Sequence, residues 1–400
     1  MCYSNNNSIQ TNLQEDFHIM AKTILTGNPE LIRDINTQSV IRTIMEHGTI
    51  SRAAIASHLG LTKATVSAIV QILLDRGLIL EVGSDDTKKG RKPILLKMDE
   101  TCGYIISLDL ATETITLMTA SLLGSNCHIY QHEFPEDSAD LIPALITYIQ
   151  TAVNTLPKSR YGLLGIALGI HGVVHHNRII FLPYSSYEDL DLVTPLAEAF
   201  QVPVLMENEA NLSVLGEWSF CHQTNEMLYI SVHSGIGVGI IMKNQLVKGK
   251  NGYAGEFGHS IIQIGGRPCP CGNHGCLEQY ASERALFAEL SEIKQMPIHA
   301  DLFENLYRQD DPDARRLVDN FIAYMSIGIN NLLNTFNPDI IILNSVLHRC
   351  RPTLCEDITN ALHNTMKQYC HLIPSTLQDS AILLGGIYLI QHQFLYPNQI

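Results

Sequence analysis

The chain has 400 residues, of which 46% are hydrophobic, 7% aromatic and 16% charged, and 26 basic against 40 acidic side chains give a net charge of −14. That apolar content can bury a large core and excludes a disordered chain, and the length suggests two or three domains. The acidic balance argues against phosphate binding by the whole molecule, but it is unevenly spread: residues 31–98 carry ten basic and six acidic side chains, whereas residues 101–400 carry 15 and 29. No stretch approaches the length of a membrane span. Leu163 to Val174, the longest uncharged apolar run, is interrupted by Gly165, Gly169, His171 and Gly172. The first twenty residues are polar and acidic, unlike a signal or transit peptide, so a cytoplasmic protein is expected.

Residues 1–30 are Asn-rich and read as a polar tail. Residues 31–98 read as one domain of three short helices and two strands. The first helix spans about Asn36 to Glu46 and stops at Gly48, the second is capped by Ser51 and ends at Gly60, and the third is capped by Thr62 and runs to Arg76. Val66, Ile69, Val70, Leu73 and Leu74 recur at helical spacing and give the third helix an apolar back. Strands are expected at Leu78–Val82 and Pro93–Met98. Three helices followed by a two-stranded wing form the pattern of a winged helix-turn-helix. Thr62, Lys63, Thr65 and Ser67 would face DNA, because short hydroxyls and one cation can reach base edges and phosphates without filling the groove. Lys88, Lys89, Arg91 and Lys92 in the wing would track the minor groove and its phosphates. One such module has a small footprint, so a homodimer or dimer of dimers on a palindromic operator is expected.

From residue 101 to 400 short β-branched strands alternate with helices. Strands are expected near Tyr104–Leu108, Ile115–Ala120, Cys127–Phe134, Leu163–Leu168, Ile179–Phe181 and Val204–Met206, with helices at Ala139–Thr155, Leu192–Phe200 and Glu209–Phe220. Strands Leu228–Val232 and Gly237–Met242 open a second half. That half continues through a mostly helical region to Asn334, strand Ile340–Leu343, helix Leu354–Gln368, strand Ala381–Leu384 and a closing helix. Antiparallel starts followed by βα units, occurring twice, imply a two-lobed α/β body with a cleft.

Between the halves lies a cysteine cluster, Cys269-Pro-Cys271-Gly-Asn-His274-Gly-Cys276, ten residues after His259. Three thiolates and one imidazole make a closed tetrahedral zinc site, with Zn2+ structural because no position is left for water. His259 is the favoured fourth ligand and His274 the competitor.

Gly255-Glu-Phe-Gly-His259 followed by the cysteine segment and Leu277-Glu278 resembles the signature of the ROK family of repressors and sugar kinases. The resemblance extends over about residues 35–395 and implies an actin-like, ribonuclease-H-like fold of two lobes. With a winged helix in front, the chain is most similar to xylose repressors, through Glu207-Asn-Glu-Ala-Asn211, Ser234-Gly-Ile-Gly-Val-Gly239 and Leu333-Asn-Thr-Phe-Asn-Pro-Asp339 among others. The family pattern implies that Asn208, Glu209, Glu256, His259 and Glu278 hold the hydroxyls of a small sugar, xylose or a relative. Carboxylates suit that task because they make strong charge-assisted hydrogen bonds.

The chain departs from the family's kinase pattern in three places. The Asp-x-Gly-Gly-Thr hairpin, whose glycines let ATP phosphates approach, is Asp109-Leu-Ala-Thr-Glu113. The late Gly-Gly falls at Leu343-Asn-Ser345, and the catalytic Asp is Glu209, one methylene longer. The expectation is therefore a non-enzyme without catalytic residues: a repressor of a sugar-utilisation operon, bound to operator DNA and released by the sugar. A sugar kinase carrying a DNA-binding module, and a repressor controlled by a protein partner, are the two alternatives.

Overall fold

The computed structural model describes residues 29–84, 94–183 and 187–397, which form two compact units, one ending at Glu100 and rejoined by the chain from Leu395, the other running from Thr101 to Phe394. The first unit opens with helix α1 (Pro29–His47), which begins seven residues before the sequence pattern predicts. Strand β1 (Ile50–Ser51) leads into α2 (Arg52–Leu59), where the Ser51 hydroxyl accepts the Ala54 amide and Gly60 closes the helix in the left-handed region. Helix α3 (Lys63–Asp75) is capped by Thr62, and its buried Val66, Ile69, Val70 and Leu73 form the apolar back expected of them. Strands β2 (Ile79–Ser84) and β3 (Ile94–Met98) pair antiparallel, and β1 adds to β3 to complete a three-stranded sheet in the order β1-β3-β2. Residues 395–397 belong to this unit. Tyr396 sets its hydroxyl 3.8 Å from Met45 Sδ, and Arg42 lies over its ring.

The second unit contains two five-stranded sheets of the same topology. In the first, β4 (Tyr104–Leu110), β5 (Thr114–Ser121) and β6 (His128–Glu133) form an antiparallel meander. Then β7 (Leu163–Ile170) and β10 (Val204–Asn208) extend it in parallel on the other side of β4, giving the order β10-β7-β4-β5-β6. Helix α4 (Leu141–Thr155) bridges β6 to β7 and buries Leu141, Leu145, Ile149 and Ala152, one face at helical spacing. A small hairpin, β8 (Val173–His175) and β9 (Arg178–Phe181), and helix α5 (Val193–Phe200) lie between β7 and β10.

Helix α6 (Glu209–Phe220) carries the chain to the second sheet. There β11 (Glu226–Val232), β12 (Ile236–Met242) and β13 (Gln245–Leu246) repeat the meander. Strands β14 (Ile340–Asn344) and β15 (His371–Pro374) repeat the parallel extension, in the order β13-β12-β11-β14-β15. Helices α7 (Glu278–Ala281), α8 (Glu283–Lys294), α9 (Ala300–Arg308) and the long α10 (Pro312–Phe336) supply the helical region, with Leu317, Phe321, Met325 and Leu332 fully buried against the second sheet's core.

Two sequence expectations fail near the C-terminus. The helix expected at Leu354–Gln368 is α12 (Leu354–Ala361) followed by a separate 3-10 turn at Thr365–Tyr369, because Leu362 is extended and Asn364 caps Met366. (A single-turn α11, Leu347–Cys350, precedes it.) The strand expected at Ala381–Leu384 is the start of α13 (Ser380–Leu395), and the true edge strand is β15. A short apolar run has no period that separates a strand from a buried helix.

Candidate functional site

Thr62, Lys63 and Ser67 are exposed at the first turns of α3, and Thr65 is half-buried. The Thr62 hydroxyl accepts the Thr65 amide at 3.1 Å and lies 2.9 Å from the Thr65 hydroxyl, so the cap rigidifies the same face that is predicted to meet DNA. An exposed helix N-terminus with one cation beside it suits phosphate and base edges. Lys88, Lys89, Arg91 and Lys92 lie outside the described residues.

In the second unit, the segment from β10 into α6 positions Asn208 and Glu209. Asn208 caps α6: its side-chain oxygen accepts the amides of Ala210 and Asn211, and its Nδ2 donates to the Gly172 carbonyl at 2.9 Å. The preceding Glu207 is buried and holds the turn from below, accepting from the Asn208 amide, Asn211 Nδ2 and, at 2.8 Å, Lys248 Nζ. Glu209 opens the helix, buried and pointing at the β11–β12 hairpin. A Cβ at Gly237 would lie 3.1 Å from Glu209 Oε1, one at Gly235 would lie 3.0 Å from Glu278 Oε2, and one at Gly239 would lie 2.1 Å from the Ala210 carbonyl oxygen. Gly235, Gly237 and Gly239 are thus accounted for by the close packing of α6 and two carboxylates.

His259 joins the carboxylates to the cysteines. Its Nε2 lies 3.6 Å from Glu256 Oε2, while its Nδ1 lies 3.7 Å from Glu278 Oε1 and 3.4 Å from Cys269 Sγ. Burial, with Glu209 and Glu278 nearby, pushes the Glu256 carboxyl up to about 7. All five residues expected to hold a sugar therefore converge where β10, α6, the β11–β12 hairpin and α7 meet.

The metal-type donors of His259, Cys269, Cys271 and Cys276 all lie within 4.8 Å of one another. Cys271 Sγ and Cys276 Sγ are 3.7 Å apart. A tetrahedral Zn2+ with bonds of about 2.3 Å to sulfur needs roughly that sulfur–sulfur spacing, so the donor set and its geometry fit the ion. His274 is exposed and is not part of this group. Tyr280 anchors the loop, its hydroxyl accepting the Arg267 amide at 2.7 Å.

Sequence reasoning missed four further polar residues at the same junction. His171, just past β7, sets its Nε2 2.7 Å from Asp109 Oδ1 on the neighbouring β4. His233, just past β11, sets its Nδ1 3.8 Å from Glu283 Oε2. Burial alone would lower both histidines. Asp109 and Glu209 carry His171 upward instead, and Glu283, Glu209 and Asp379 carry His233 up to about 9. The signal was available: each histidine ends an apolar strand that runs parallel to a neighbour, the end where open α/β sheets place ligands. Glu283 also accepts the Val346 amide at 2.8 Å and the Ser345 hydroxyl at 3.1 Å, so it occupies donors at the position of the late kinase Gly-Gly.

Comparison with known proteins covers both units. Residues 106–393 match the model of the ROK family, and residues 33–79 match a winged helix-turn-helix DNA-binding model. The xylose repressor of Bacillus spizizenii is 33% identical over 372 residues, covering 91% of this chain and 97% of that protein. Among solved structures, a ROK family transcriptional regulator described as a homolog of the E. coli MLC protein has a TM-score of 0.77 at 26% identity, covering 91% of this chain and 97% of that one. The ROK hexokinase of Thermus thermophilus has a TM-score of 0.61 at 27% identity and covers 72% of this chain and 98% of its own.

Proposed function

The chain belongs to the ROK family, and from that premise we propose that it is a sugar-responsive transcriptional repressor and not a kinase. The observation that carries this reading is the pairing of an open recognition-helix face with a junction where Asn208, Glu209, Glu256, His259 and Glu278 converge. Three carboxylates offer acceptors to several hydroxyls at once, the pattern a polyol requires. The relatives named xylose repressors make D-xylose the expected ligand. His259, Cys269, Cys271 and Cys276 would hold a structural Zn2+, which supplies a rigid anchor for His259. Binding through Nδ1 leaves Nε2 facing Glu256 and the ligand.

The same geometry disfavours phosphoryl transfer. Asp109, where a kinase hairpin meets phosphate, is bonded to His171, and Glu283 holds the Val346 amide. Another carboxylate near a triphosphate would repel it. The repressor would act in the cytoplasm as a homodimer or dimer of dimers on a palindromic operator, with Thr62, Lys63, Thr65 and Ser67 in the major groove and Lys88, Lys89, Arg91 and Lys92 on the wing. No described helix is long and apolar enough to cross a membrane. The test is a coupled ADP-release assay over a panel of pentoses and hexoses. No turnover above the protein-free rate is expected, and sugar-dependent ADP release would overturn the non-enzyme reading.

A further inference from the structure

The sugar-site residues are unbalanced in hydrogen-bonding character. Glu209, Glu256 and Glu278 accept when ionised. The Asn208 oxygen is consumed by two helix amides, and one of its two N–H groups is consumed by Gly172. A sugar hydroxyl both donates and accepts, and its lone pairs need donors when water is excluded. His171 is a side chain free to meet that need from the first lobe. Its Nε2 is held by Asp109 at 2.7 Å, its side chain keeps 28% exposure, and Asn208 is tied to the adjacent Gly172. Asp109 at 2.7 Å fixes which way the ring faces and favours the imidazolium, in which Nε2–H donates to Asp109 and Nδ1–H is left to donate to a hydroxyl.

We propose that Asp109 and His171 extend the sugar site, with Asp109 as positioning residue and His171 Nδ1 hydrogen-bonding one ring hydroxyl. This inference rests on the sugar reading above. The groups that face His171 are Asp109 on β4, Glu209 on α6 and His233 after β11. In place of a phosphate-binding hairpin, this corner presents an imidazole that selects among hydroxyl configurations.

The experiment uses full-length, metal-loaded protein and titration calorimetry with D-xylose and its monodeoxy analogues. His171→Gln keeps an amide where Nε2 meets Asp109 but has nothing at Nδ1. His171→Asn keeps an amide at Nδ1 and loses Asp109. The expected result is an affinity for D-xylose at least tenfold weaker in His171→Gln, with a smaller loss in His171→Asn. One deoxy analogue should bind wild type and His171→Gln alike, because the hydroxyl it lacks is the one His171 reads. Sugar-free operator affinity should be unchanged in both variants. An unimpaired His171→Gln overturns the pair alone. An equal loss for every analogue, or loss of sugar-free operator binding in both variants, makes His171 structural and also overturns it. Wild type that binds no sugar in the panel overturns the sugar reading itself.

Discussion

Glu209 lies beside two histidines, His171 after β7 and His233 after β11, and the charge state of these groups has a measurable consequence. His233 is raised from its ordinary value to about 9 because Glu283, Glu209 and Asp379 outweigh its burial. A histidine whose folded pKa is raised stabilises the fold fully below about 6.5, and that stability is lost as pH rises through the folded value. Unfolding free energy measured by urea titration should therefore fall between about pH 6.5 and 9. The fall should exceed that of His233→Gln by on the order of 1–3 kcal/mol. Parallel curves for the two proteins would show that His233 is not held in its charged form. At this scale the sequence revealed the residues that belong to a contiguous motif. Glu256, His259, the cysteines and Glu278 sit within 23 residues of one another and could be read together. Asp109, His171 and His233 could not, because their meeting depends on strands distant in sequence.

Helices α6 and α13 cross at glycines. A Cβ on Gly385 would lie 1.8 Å from the Leu212 carbonyl oxygen, and one on Gly216 would lie 2.1 Å from that of Ala381. Gly385 thus sits inside a helix because backbone must approach backbone there, and a glycine in that role is indistinguishable in sequence from a stop signal. Gly385→Val should destabilise by about 3 kcal/mol or more, since the obstacle is backbone that cannot swing aside. Thermal unfolding would show it, and an unchanged midpoint would refute the close crossing. Glu217 braces the same crossing, accepting from the Ser375 hydroxyl at 2.6 Å and the Leu377 amide at 3.0 Å. The metal loop is the other element with a clear expectation. Purified protein should carry about one zinc per chain, and Cys276→Ser should lose most of it, because a closed site needs all four ligands. Less than half a zinc per chain in wild type by elemental analysis would contradict the site. The sugar affinity of Cys276→Ser should fall with the zinc, since His259 would lose its anchor.

For the whole molecule, two features of the sequence carried most of the architecture. One is the switch from three short helices with a basic balance to repeated strand–helix units with an acidic one. The other is the recurrence of an antiparallel start before parallel strands, which the two sheets reproduce strand for strand. The acidic surplus of residues 101–400 includes Glu207, Glu209, Glu256, Glu278 and Glu283, all at the lobe junction. If Glu209, Glu256 and Glu278 bind hydroxyls as proposed, part of that surplus belongs to a ligand site, which reconciles a negatively charged chain with a DNA-binding head. Induction requires the sugar to bind the operator-free state more tightly than the bound one, and a 100-fold preference amounts to about 2.7 kcal/mol. The most direct measurement is operator affinity by mobility shift or fluorescence anisotropy, with and without millimolar D-xylose, for wild type and Glu278→Gln. The account predicts that xylose weakens operator binding at least tenfold in wild type and leaves Glu278→Gln, whose sugar-free affinity is normal, bound. Wild-type operator binding that no pentose or hexose alters would contradict it.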